Sequence, residues 1–265
     1  MDASATGSRI LRLILLLAVI SLTAACAIQA TPVPRKIALL APFEGRYRDA
    51  GYDALYAARL ALSEANLPQI ELLPVDDGGT AAHAADRAQA LANDPDVIAA
   101  IAVGFSAAGD DALVAFADVP LIVVGNWGAQ PVGDETFILA HVAEDGRNDA
   151  LFYNGIRVLN DAPALEWISG AMPPDADFIA RYQESDAFAP PPTPLATLVY
   201  DALRMAALAS ANSMTREGAA HYLNQLDYTG LNGEIRFVAH TWAGAPAISY
   251  EIVNGEPVAL DRPGQ

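Results

Sequence analysis

Five short apolar runs punctuate the first half of the sequence, and helically spaced segments lie between them. The runs are Lys36–Pro42, Ile70–Val75, Val97–Val103, Pro120–Val124 and Thr136–His141. Each is too short for a typical helix and too continuously apolar to face water on one side, so each reads as a strand buried on both faces. After a loop over Gly45–Gly51, Leu55, Ala58, Leu62 and Ala65 recur at helical spacing within Tyr52–Asn66. Thr80 can cap a second helix reaching about Asn93, and Ala107–Ala117 reads as a third. Strands alternating with helices imply an α/β fold, a doubly wound parallel sheet covered on both faces. Ligands of such sheets bind beyond the carboxyl ends of the strands. A site is therefore expected among loops 43–51, 76–80, 104–107 and 125–131.

The second half is less regular. Ala150–Asn154 and Glu166–Ala171 read as strands and Asp177–Glu184 as a short helix. A stiff APPPTP connector leads into helices over Leu195–Ala211 and Thr215–Leu226. Glu234–Ala239 and Ala247–Val253, joined by a glycine-containing loop, have a hairpin pattern. Asn254-Gly255 is a turn signal.

The first 25 residues read as an export signal. Arg9 and Arg12 form a basic region at the start of an apolar stretch, Leu11 to Leu22, which is short for a membrane span. Small residues Thr23, Ala24 and Ala25 follow, then Cys26, the only cysteine of the chain. Leu22-Thr23-Ala24-Ala25-Cys26 resembles a bacterial lipobox. That resemblance implies lipidation of the Cys26 thiol and an extracytoplasmic protein held to the cell membrane by acyl chains. Residues 26–35 then form a tether. The formal net charge of −17 would be repelled by nucleic-acid phosphates, so no nucleic-acid partner is expected.

Motifs for chemistry are weak. Gly104-Phe105-Ser106-Ala107-Ala108-Gly109 follows a strand, as a nucleophile elbow would, but Ala108 stands where the second glycine belongs. An enzyme would need Ser106 beside a histidine. Lys36 is the only lysine and lies outside any glycine-rich loop, so no phosphate-binding loop is present. His83, His141, His221 and His240 lack metal-ligand spacing. Asp76-Asp77 reads as a solvated, helix-capping pair rather than a catalytic one. No metal, cofactor or enzymatic activity is expected.

The stretch KIALLAPFEGRYRDAGYDALYAARLALSEAN resembles the start of type I periplasmic solute-binding proteins of the branched-chain amino acid group, the receptors of ABC importers. IAAIAVGFSAAGDDALVAFADVPLIVVGNW, DFIARYQE and LATLVYDALRMAALA are similar to later pieces of that family in order. YTGLNGEIRF is similar to its closing element, with Gly230, Gly233 and Phe237 in place. The resemblance implies two α/β lobes closing on a small-molecule solute, which an ABC permease then receives. It places the solute's carboxylate at Ala50, Ala107, Ala108, Gly125 and Trp127, with Tyr47, Ser106 and Asn126 beside them. Tyr153 and Glu166 would reach it from the second lobe.

Two departures stand out. Ala107 and Ala108 lack hydroxyls, and Trp127 replaces a small residue, favouring a polar or aromatic solute over a free α-amino acid. The second lobe is also short. Residues 36–140 and 178–228 are expected in lobe one, and only 141–177 and 229–259 in lobe two. The alternative is a lipoprotein scaffold or sensor that has lost solute capture, binds a protein partner, and fills its cleft with Trp127 and Phe105.

Overall fold

The structure, a computed structural model, describes residues 34–141, 166–254 and 256–260. The signal segment, Cys26 and Tyr153 lie outside these residues, as does the strand expected at 150–154.

The five apolar runs form the parallel part of one sheet. They are β1 (Arg35–Ala41), β2 (Ile70–Asp76), β3 (Val97–Ala102), β4 (Leu121–Val124) and β5 (Thr136–Leu139). The spatial order is β2-β1-β3-β4-β5, all parallel. Every residue of β3, β4 and β5 is buried, as sheets covered on both faces require. Burying each Val, Leu or Ile side chain contributes about 1.5–3 kcal/mol.

Helices α1 (Arg48–Ala65), α2 (Ala81–Asn93) and α3 (Asp110–Ala115) connect these strands. Helix α1 begins four residues before its expected start, inside the presumed loop. Gly51 gave the loop signal, but its role is close approach: a Cβ there would lie 2.0 Å from the Pro42 carbonyl oxygen. Thr80 caps α2 as expected, accepting from the His83 amide at 3.2 Å. The segment at 107–109 is not helical, and α3 starts only at Asp110.

Three later helices complete the large layer: α4 (Ala176–Ser185), α5 (Pro194–Asn212) and α6 (Arg216–Gln225). Asp175, Thr193 and Thr215 cap them with side-chain oxygens. Asp201 of α5 is fully buried. Its carboxylate accepts from Tyr228 Oη, the amides of Leu231 and Asn232, and Asn232 Nδ2. The turn between β7 (Tyr228–Gly230) and β8 (Gly233–Ile235) wraps this carboxylate. Gly230 is required there, since a Cβ would sit 2.2 Å from Asp201 Oδ1.

The expected strand 234–239 is divided. Phe237–Val238 (β9) turns back through Ala239 and His240 onto Thr241–Trp242 (β10). Both turn residues have positive φ, 48° and 63°, the geometry of a two-residue hairpin turn. Strand β10 pairs with β5, so the pair extends the large sheet to seven strands. The segment therefore does not form a hairpin with 248–253, as its pattern suggests.

A second sheet has three antiparallel strands: β6 (Glu166–Ser169), β11 (Ile248–Val253) and β12 (Glu256–Ala259), in the order β12-β11-β6. Strands β11 and β12 pair up to Val253 and Glu256, with Asn254 at φ 53°, while Gly255 of the expected turn lies outside the described residues. The fold is α/β, with one full doubly wound layer and a reduced second one.

Candidate functional site

The winding of the large sheet reverses between β1 and β3: the chain steps from β1 out to β2, then returns to the other side of β1. The loops beyond these two strands, with that beyond β4, therefore flank the natural ligand crevice. Three aromatic side chains meet there. Tyr47 ends a 3-10 turn at Gly45–Tyr47. Its ring centroid lies 5.6 Å from that of Phe105, which lies 5.0 Å from Trp127 in an edge-on contact. Such tilted pairs are favourable beyond their area burial.

The rings are not equally available. Trp127 is only 7% exposed, and its Nε1 donates to the Val124 carbonyl at 2.7 Å. Phe105 is 44% exposed. The sequence points to Trp127 as the ring facing a solute, whereas Phe105 is the surface and Trp127 its backing. Its position directly after a strand-ending glycine is the signal that could have found it. The Arg46 guanidinium lies 5.5 Å from the Tyr47 centroid.

The other expected residues divide. Gly125 sits beside Trp127, at φ 93°, and its amide donates to Leu139 O. Asn126 is partly buried, with Nδ2 donating to the His141 carbonyl at 3.4 Å. Ser106 is half-buried, between Phe105 and the buried Ala107 and Ala108. Ala50 is buried within α1, not at a loop end. Glu166 starts β6, paired with Glu251 in register.

The acidic pair braces these loops rather than meeting solvent. Asp76 Oδ1 accepts from the Phe43 amide at 2.7 Å and Oδ2 from Gly78 at 2.9 Å. Asp77 is buried and accepts from Gly79 at 2.8 Å. Burial pushes the Asp77 carboxyl above its usual range; the amides of Gly79 and Ala107 pull it back, while the nearby Asp76 charge adds to the rise. The two nearest histidines in sequence bond elsewhere. His83 Nδ1 lies 3.3 Å from the Gly78 carbonyl and His141 Nδ1 3.4 Å from that of Ala245. Among the described residues no cluster of metal-ligating side chains occurs, and no helix is long and apolar enough to cross a membrane.

The sequence over residues 34–150 matches the periplasmic binding protein family. No curated protein matches the chain. Among solved structures, the branched-chain amino acid substrate-binding protein LivJ of Streptococcus pneumoniae, in complex with isoleucine, is 16% identical. It aligns at a TM-score of 0.63 over 85% of this chain and 99% of that one. The leucine-binding protein LivK of Thermotoga maritima is 13% identical, with a TM-score of 0.64 over 86% and 98%. A solute-binding protein from R. palustris in complex with benzoate is 12% identical, at 0.62 over 86% and 95%. At such identities the likeness establishes the fold alone. Residues 34–150 thus match the periplasmic binding protein family, and the chain has the type I fold seen in the branched-chain amino acid receptors.

Proposed function

We propose that this chain is an extracytoplasmic solute-binding protein of an ABC importer, anchored to the cell membrane through lipid on Cys26. It captures a small polar or aromatic, amino-acid-like solute in the crevice between its lobes and passes it to a permease. The observation that carries this reading is the meeting of Tyr47, Phe105 and Trp127 at the winding reversal of the sheet. The receptors of isoleucine, leucine and benzoate with this fold support it. Tyr47, Ser106, Phe105 and Asn126 form the first-lobe wall of the proposed site. Tyr153 and Glu166 are assigned to the opposing wall.

A thermal-shift screen tests the reading. A ligand at 100 times its dissociation constant adds about 2.7 kcal/mol, which is a rise of about 5–11 °C for a protein of this size. A rise of that order for one chemical class is expected. A flat panel with a cooperative melt would favour the second reading, a scaffold or sensor that binds a protein partner. The observation behind that alternative is the mutual packing of the three rings, with the Trp127 donor spent internally. The anchor has its own test. Cys26→Ala should move the protein from the membrane fraction to the soluble one, and unchanged partitioning would remove the lipid from the proposal.

A further inference from the structure

The amides at the strand ends are the natural donors for an anionic ligand in a parallel α/β sheet. Here several of them are committed to acceptors inside the protein. Asp76 takes the amides of Phe43 and Gly78. Asp77 takes that of Gly79, and its carboxylate is further favoured by the amide of Ala107. The Ala108 amide donates to the Gly104 carbonyl at 2.9 Å. Asp77 Oδ2 stands only 3.7 Å from where a Cβ on Gly104 would be, directly behind the loop that presents Phe105. Two carboxylates of the protein thus hold the amides of Phe43, Gly78, Gly79 and Ala107, donors that could otherwise serve a bound carboxylate. What the strand ends add to the field is negative charge, within a chain of net charge −17.

We infer that the solute meets this wall with a hydrogen-bond donor instead of a carboxylate: it is an amide or amine carried on an apolar or aromatic body. The inference rests on the receptor reading above and names its solute class. An ionised carboxylate is acceptor-only, so its complement is an N–H group. The exposed face of Phe105 receives the apolar body, and a cationic head is further favoured beside aromatic rings. A carboxylic acid of the same shape would lose both its donors and the favourable field.

The test is a matched series on the purified full chain: L-phenylalanine, L-phenylalaninamide and phenethylamine, with L-leucine and L-leucinamide beside them, followed by calorimetry. The amides or the amine should bind at least tenfold more tightly than the matching acid. Asp77→Asn, which keeps acceptor capacity but removes the charge, should narrow that gap severalfold. Should this variant melt far below the parent, the wild-type series decides alone. Acids binding as tightly as their amides would overturn the inference while leaving the receptor reading intact. Loss of that acid binding in Arg46→Gln would identify the cation near Tyr47 as the carboxylate anchor. No binding anywhere in the series or in the broader screen would overturn the receptor reading, and the inference with it.

Discussion

The two sheets are built on opposite terms. The large one is a buried layer in which β1, β3, β4 and β5 share a continuous core with α1 and α5. Among the described residues the small one buries Ile248 and Tyr250, flanked by Met172 and Ala259, and shows Val253, Val258 and Leu260 to solvent. A sheet covered on both faces resists local opening, whereas one that shows apolar side chains to water on its strands depends more on its attachments. The difference teaches where stability resides: in the large layer and in the polar contacts that reach out from it.

The largest expected effect tests those contacts. Asp201→Ala leaves four donors of the 228–233 turn without their acceptor inside the protein and should cost about 3–5 kcal/mol in urea unfolding. A cost below about 1 kcal/mol would show that water replaces the carboxylate.

The next concerns pH. Asp53 of α1 is buried, and burial pushes its carboxyl up to about 7, against hydrogen bonds from Thr193 and Tyr182. The folded protein then holds a proton that the unfolded chain releases near pH 4. Stability from this group is complete below about pH 4 and is lost as pH rises toward 7, by roughly 4 kcal/mol. Melting curves across that window should show the loss in the parent and a flatter profile in Asp53→Asn. Parallel profiles would place the ionised form in the folded state.

A smaller effect isolates the small sheet. Tyr250 Oη donates to the Ala171 carbonyl at 2.6 Å. Tyr250→Phe should cost about 1 kcal/mol and speed hydrogen exchange in β11 without altering β1 or β3. Equal acceleration in both sheets would merge them into one cooperative unit. The smallest is Val258→Thr on the exposed face, expected within about 0.5 kcal/mol of the parent.

Much of this was legible in the chain itself, for a physical reason. A strand buried on both faces must be apolar at every position, so β1, β3, β4 and β5 stood out without reference to their neighbours, whereas β2 forms the sheet's edge with only Ile70 buried. Elements whose form depends on distant partners did not. Gly51 looked like a loop residue because its partner, the Pro42 carbonyl, is a tertiary neighbour. The strand after Gly233 looked continuous because nothing announces its break at Arg236 or the turn at Ala239-His240 with two positive φ angles. At the site, the loops were identified from strand ends alone. The order of the rings was not: which of Phe105 and Trp127 is outermost follows from the Trp127 bond to Val124, a contact without a sequence signal.

Asn232 carries a mechanical consequence. Its Oδ1 accepts from the Met172 amide at 2.7 Å and from Thr197 Oγ1 at 3.0 Å, while its Nδ2 is held by Asp201. Met172 lies on the strand that leaves β6 for α4, so this crossing is riveted to the large layer at that residue. Two residues earlier, Gly170 lies where a Cβ would come within 2.7 Å of the Trp242 ring. At this crossing only Gly170 and Ala171 lie between the end of β6 and the rivet, and the Trp242 ring fills the space beside them. A crossing so short ties the end of β6 to the large layer and leaves its backbone little slack.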